Sequence, residues 1–231
     1  MATQLLIALL VTAAFAAIAY ALGMVSRSGA LGGLLVGTIV YASLGPRGFA
    51  VLVLFVVGGS VLTRVGYRSK QRAGTAQEHG GRRGARNALA NCAVAVCCAQ
   101  LAAATGSELF TVAFVASLGA AFADTSESEI GQLFARTPRL ITTLRKVPPG
   151  TDGAVSLPGT FAGITAACLT AALALALSLL ETPQTALLVA LASFLGTVAD
   201  SLIGDRYPQI GNDATNVLCT LVAAMLAPIL A

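Results

Sequence analysis

FADTSESEIGQ, residues 122–132, sets three carboxylates, Asp124, Glu127 and Glu129, directly behind an apolar run that ends in Ala121, Phe122 and Ala123. A carboxylate at the centre of a bilayer costs about 2.5–3.5 kcal/mol on insertion scales, and less near the interface. The stretch therefore reads as a membrane helix that reaches polar surroundings at an acidic end. Composition supports this. Of 231 residues 56% are hydrophobic and 10% charged, with a mean hydropathy of +0.83. Soluble domains carry about 25% charged residues, and a core of this size cannot absorb the excess apolar surface. The expectation is an all-α, polytopic integral membrane protein forming one domain over residues 1–231.

A spanning helix needs about 20 mostly apolar residues. Working outward along the chain, strong candidates are residues 5–22, 49–65, 88–104, 157–180, 185–203 and 214–231, with shorter ones at 29–44 and 109–123. That predicts eight spans. The charge pattern fits the count. Arg27, then Arg64, Arg68, Lys70, Arg72, Arg82, Arg83 and Arg86, then Arg136, Arg139, Arg145 and Lys146, then Arg206 all share one face, and of the 14 Lys and Arg only Arg47 falls on the other. The positive-inside rule places that face in the cytoplasm, in a plasma (inner) membrane or its equivalent, with both termini outside. The first 22 residues lack a basic start and a cleavage site and are expected to be a spanning helix, not a signal peptide. The two long loops, residues 66–87 and 124–156, are then cytoplasmic. The segment ASLGAAFADT (116–125) echoes ASFLGTVADS (192–201), and Asn87/Asn91 echo Asn212/Asn216, which is consistent with duplicated helix hairpins. The five cysteines form no metal-ligand spacing and read as small residues packed between helices.

Three polar segments carry the chemistry. Asp124 is expected to end the fifth helix and Asp200 to lie near the end of the seventh, where the helix dipole disfavours carboxylates. A bound cation would resolve that conflict, and hard oxygen ligands suit Mg²⁺. The candidate metal set is Asp124, Glu127, Asp200, Asp205 and Asp213. VPPGTDGAVSLPGT (147–160) joins a glycine turn to a helix start, a combination that favours phosphate. It offers Gly150, Thr151, Asp152, Gly153 and Ser156. GGRRGARNALAN (80–91) offers Arg82, Arg86, Asn87 and Asn91, and Asn212 and Asn216 complete the substrate-binding set. Asp124, Asp152, Asp200 and Lys70 are the catalytic candidates. The GxxxG pairs Gly29/Gly33 and Gly159/Gly163 read as close helix packing. The inventory suits phosphoryl transfer to a lipid-borne acceptor, which rests on positioning and charge neutralisation.

The motifs RNALAN, FADTSESEIG, KVPPGTDGAVSLPGT, ADSLIGDRYP and NDATN, in that order over nearly the whole chain, resemble the phytyl-phosphate kinase family of the vitamin E pathway. That family was long catalogued as a domain of unknown function and includes transmembrane protein 19. The resemblance implies transfer from a nucleoside triphosphate such as CTP, with Mg²⁺, to an isoprenyl monophosphate such as phytyl phosphate. An alcohol acceptor, as in a polyprenol or phytol kinase, would need a base, for which Asp124 or Asp152 is placed. A lipid cytidylyltransferase and a membrane transporter are the other readings. The expected partners are nucleotide, isoprenyl lipid and membrane, with no nucleic acid, and a homo-oligomer is compatible with the sequence.

Overall fold

Hydroxyl caps set several helix starts in the computed structural model, which describes residues 2–231. The Ser26 side chain accepts from Gly29 N–H (3.1 Å), Ser156 from Gly159 N–H (3.2 Å) and Thr182 from Thr185 N–H (3.0 Å). Each satisfies a donor that the first helical turn leaves orphaned. The elements are α1 (Ala2–Ala21), α2 (Arg27–Arg64), the short α3 (Tyr67–Arg72) and α4 (Glu78–Gly81), α5 (Ala85–Thr105), α6 (Glu108–Phe134), α7 (Leu157–Ala176), α8 (Pro183–Arg206) and α9 (Asn212–Leu230). Two-residue strands β1 (Arg139–Leu140) and β2 (Ala154–Val155) pair antiparallel between α6 and α7, with Arg139 opposite Val155. Among the described residues seven helices, α1, α2 and α5 to α9, are long and apolar enough to cross a membrane.

Eight spans were expected, and the two drawn at residues 29–44 and 49–65 are joined within α2. Residues 29–44 and 49–65 are two arms of one 38-residue element that doubles back at Gly45. Straight, it would be about 57 Å long. Instead a Cβ on Gly37 would lie 3.2 Å from the Phe49 ring, the Tyr41 and Phe49 rings are 5.7 Å apart, and Arg64 donates to the Leu22 carbonyl just before the helix begins. The reversal takes one residue. Gly45 has φ 65° and ψ −162°, a region open essentially to glycine alone, and Pro46 starts the return arm. The basic loops before α5 and before α7 consequently meet at one end of the bundle, where both line one cavity.

α6 is the axis. Of its most apolar stretch 78% is buried, against 17–39% in the other six long helices. Ala113, Ala116, Ser117, Gly119, Ala120, Ala121 and Ala123 keep it thin enough for α2, α5, α7, α8 and α9 to pack around it. A Cβ on Gly119 would lie 2.4 Å from Ser193 Oγ of α8, and Ser193 itself donates to the Ala116 carbonyl (3.1 Å). Of the GxxxG pairs, Gly159 and Gly163 pack on the α6 backbone as expected, and Gly29 packs on the Arg83 carbonyl. Gly33 faces open space. Cys92, Cys98 and Cys219 are buried, whereas Cys97 and Cys168 point outward, contrary to the expectation that all five pack between helices.

Candidate functional site

α6 does not stop at Asp124. It runs on to Phe134, so Asp124 lies well inside it, with Glu127 and Ser128 three and four residues on along the same face. Asp200 likewise lies inside α8, which continues to Arg206. The expectation that both acids sit at helix ends is therefore corrected. The helix dipole acts only within the last turn, so what these carboxylates work against is burial and one another. Asp124 and Asp200 are close enough to repel electrostatically, and Glu127 lies within range of both.

These acids line one cavity of about 240 Å³ at the basic-loop end of the bundle. Asn87 and Asn91 reach it from α5, Asn212 and Asn216 from the start of α9, and Gly150, Thr151, Asp152, Gly153 and Ser156 from the loop before α7. The sequence echoes thus converge in space. α6 and α8 each bring an acid, and α5 and α9 each bring an asparagine pair.

The loop is held over the cavity by close backbone approach. Gly153 has φ 72°, and a Cβ there would lie 2.4 Å from the Asp205 backbone nitrogen. Gly153→Ala is accordingly expected to lift the loop off α8, at a cost of about 1–3 kcal/mol. Limited proteolysis should then cut within residues 139–155 faster than in the wild type. An unchanged cleavage pattern would show that the loop does not rest on α8.

Five expected site residues fall outside the cavity lining. Lys70 is 1% exposed and spends its ammonium on the Leu62 (3.1 Å) and Thr63 (2.9 Å) carbonyls and an ion pair with Glu129. It closes the last turn of α2 and neutralises a buried acid, which leaves no donor for a substrate. Arg86 is 88% exposed and pairs with Asp213, which removes both from the cavity. Asp205 accepts from Thr142 N–H (3.1 Å) and the Thr142 hydroxyl, and so anchors the loop. Arg82 is exposed beside Gly23.

Arg83 takes the place expected of its neighbours. Its backbone bridges to the segment after α1: Ser26 N–H donates to the Arg83 carbonyl (3.0 Å), and Arg83 N–H to the Met24 carbonyl (3.2 Å). Its guanidinium lies 5.4 Å from the centre of the Phe55 ring, and Nη2 donates to Thr125 Oγ1 (3.4 Å). Burial pushes this guanidinium below its ordinary pKa, opposed by the Glu129 and Asp124 carboxylates. No signal in the sequence singled it out: what separates Arg83 from Arg82 and Arg86 is its backbone pairing with residues 24–26 between α1 and α2. Glu129, Thr125, Gln132 and Ser201 also line the cavity without having been singled out as site residues.

Among the described residues, five buried side-chain polar atoms lack a hydrogen-bond partner. Three of them, Asp200 Oδ1, Asn216 Oδ1 and Arg83 Nη1, belong to residues lining this one cavity. Buried polar groups are paired in the great majority of cases, so these three call for a partner inside the cavity, water or ligand.

Comparison with known proteins places the chain. Residues 10–224 match the family described as integral membrane protein DUF92. The chain belongs to this family. It is the family that the RNALAN, FADTSESEIG and KVPPGTDGAVSLPGT motifs resemble. An uncharacterized membrane protein of Synechocystis is 36% identical over 199 residues, which cover 83% of this DUF92 chain and 76% of that protein. Protein VTE6, chloroplastic, of Arabidopsis thaliana is 33% identical over 213 residues, covering 87% of this chain and 64% of that protein. An uncharacterized membrane protein of Methanocaldococcus jannaschii is 30% identical over 203 residues, covering 87% and 83%. No solved structure matches the chain.

Proposed function

We propose that this integral membrane protein transfers the γ-phosphoryl group of a nucleoside triphosphate, CTP or a similar one, to an isoprenyl monophosphate such as phytyl phosphate. The observation that carries the reading is the acid-lined cavity that holds three unpartnered buried polar atoms, at the membrane end where the basic loops gather. The motif resemblance and the likeness to VTE6 supply the substrate class. By the positive-inside rule the cavity opens to the cytoplasm.

The cavity's charge calls for a cation. Asp124, Glu127, Asp152 and Asp200 line it, and Glu129 is neutralised by Lys70. Arg83 is the one lysine or arginine among the lining residues. Two polyanionic substrates would be repelled. Among the described residues no three His, Cys, Asp or Glu side chains form a ready metal cage. Mg²⁺ does not need one: it is usually held by one or two carboxylates plus substrate phosphates and water. Asp124 and Asp200, with Glu127 beside them, fit that use, and the free Asp200 Oδ1 is a ligand atom without another partner. Bound there, Mg²⁺ would neutralise charge on the transferring phosphates.

The side chains account for the rest. The Asn87, Asn91 and Asn216 amides offer N–H donors without adding charge. Gly150 and Gly153, both at positive φ, let backbone N–H groups approach a phosphate. A phosphomonoester has a second pKa of about 6, so the acceptor oxygen is already anionic at neutral pH and needs no base. That oxygen forms a bond to the γ-phosphorus as the bond to the β–γ bridging oxygen breaks, leaving a nucleoside diphosphate and the lipid diphosphate.

Purified protein with γ-labelled CTP or ATP, Mg²⁺ and phytyl phosphate is expected to yield labelled phytyl diphosphate and unlabelled nucleoside diphosphate. Label transferred to phytol but not to phytyl phosphate would make the protein an alcohol kinase. Pyrophosphate release would make it a nucleotidyltransferase. No transfer to either acceptor would end the kinase reading.

A further inference from the structure

Gly33 is the odd member of its GxxxG pair. Gly29 meets the Arg83 carbonyl so closely that a Cβ would overlap it, whereas a Cβ on Gly33 would have nothing within 4 Å. The space it leaves belongs to a second cavity, of about 60 Å³, between α1, both arms of α2 and the start of α5. Its walls are apolar, from Phe15, Ala16, Val36, Phe49, Leu52 and Phe55 among others. Its polar lining residues are Thr12, whose hydroxyl donates to the Ala8 carbonyl, and Arg83 and Asn87, both of which also line the acidic cavity. The two cavities therefore meet at a guanidinium whose Nη1 is buried without a partner.

We infer that this apolar cavity holds the first isoprene unit of the acceptor lipid while its phosphate sits on Arg83 and Asn87. The inference deepens the kinase reading and rests on it for the identity of the lipid. Arg83, the one lysine or arginine among the lining residues, selects the head, and Mg²⁺ on the acids would offset their repulsion of its phosphate. The only ligand that fills both sides of the junction is amphiphilic, with an anionic head on the acidic-cavity side and an apolar body on the other. Size limits how much of it enters. A water-sized group needs about 10–15 Å³ measured in this way, so 60 Å³ admits about four to six such groups, close to the five carbons of one isoprene unit. The remainder of the chain runs on into the bilayer. The site thus reads the branched, head-proximal unit and is indifferent to chain length. Arg83 is suited to this role because its position is already paid for. The backbone is bridged to residues 24–26, the plane stacks on Phe55, and one face lies against Gly59, where a Cβ would come within 2.9 Å of Nη2. A planar, pre-oriented fork loses little freedom on taking up a phosphate.

The test measures binding of radiolabelled phytyl phosphate to the full-length protein in nanodiscs, with Mg²⁺ but without nucleotide, so that it does not depend on turnover. Gly33→Leu fills the cavity from α2, and Ala16→Leu fills it from α1. Leu35→Phe adds bulk on the exposed side of α2 as a control. Filling a pocket by a few carbons is worth about tenfold or more. Both cavity variants are expected to bind phytyl phosphate at least about tenfold more weakly than wild type, with Leu35→Phe unchanged. Unbranched hexadecyl phosphate is expected to bind wild type weakly and to be little affected by either variant. Wild-type affinity in folded Gly33→Leu and Ala16→Leu, or equal binding of hexadecyl and phytyl phosphates, would overturn the inference. The two readings fail separately. Transfer of label with no effect of the cavity variants keeps the kinase and removes the subsite. Variant-sensitive binding with no transfer keeps the subsite and removes the kinase. If the wild type binds no phytyl phosphate, both fall.

Discussion

Asp200→Asn is expected to lower phosphoryl transfer by on the order of a thousandfold while leaving the protein folded and, if anything, more heat-stable. The two halves of this result have one cause. Asp200 lies inside α8 with a buried oxygen that bonds to nothing, in electrostatic range of Asp124, Glu127 and Asp152. In the resting protein its charge is a liability, and an amide of the same shape removes it without opening a void. Functional sites commonly carry such strain, and relieving it stabilises at the expense of activity. On the proposed kinase reading the same charge would help to hold Mg²⁺ against the substrate phosphates, a contribution of several kcal/mol. About 4 kcal/mol corresponds to the stated loss in rate. Asp124→Asn should behave in the same way. Initial rates with phytyl phosphate and thermal midpoints in one detergent check both halves. An Asn variant that is less stable yet fully active would mean that Asp200 serves the bundle and not the chemistry.

How far the sequence revealed this site depended on the kind of residue. The apolar periods, the basic loops and the paired echoes were enough to bring Asp124, Asp200, Asn87, Asn91, Asn212 and Asn216 to one end. Hydropathy misjudged α6, whose segment 109–123 was among the two weakest candidate spans and became the axis. A helix surrounded by protein needs small side chains more than greasy ones, and alanine, serine and glycine lower the hydropathy that lipid-facing Leu5, Leu6 and Leu10 raise in α1. The same bias ended α6 too early at Asp124, because a helix held inside the bundle tolerates polar turns that a lipid-facing one does not. Basic residues were the least legible. Lys70, Arg82, Arg83 and Arg86 look alike in one basic loop, and only tertiary partners separate them: Glu129 takes Lys70, Asp213 takes Arg86, and the backbone bridge turns Arg83 inward. Gly45 followed by Pro46 signalled a turn, but not that the turn would take a single residue.

Lys70→Met is expected to be the most destabilising single change. Glu129 is 4% exposed, with one carboxylate oxygen on Thr63 Oγ1 (2.6 Å) and the other on Lys70. Removing the ammonium leaves that carboxylate buried without its ion-pair partner, with only the more distant Arg83 guanidinium to offset it, and also frees the Leu62 and Thr63 carbonyls at the end of α2. Breaking a buried pair from one side costs about 3–5 kcal/mol, more than the intact pair contributes net of its desolvation. Lys70→Met/Glu129→Gln should therefore be more stable than Lys70→Met alone, since the amide still accepts from Thr63 and no longer carries charge. Thermal unfolding of the wild type, both single variants and the double variant in one detergent gives the coupling between the two positions. A lysine that acts on substrate predicts another pattern: Lys70→Met would keep wild-type stability and lose only transfer, and the double variant would be no better than the single. That pattern would return Lys70 to the reaction. It would also require the ammonium to leave two carbonyls and a carboxylate that together use its three donors.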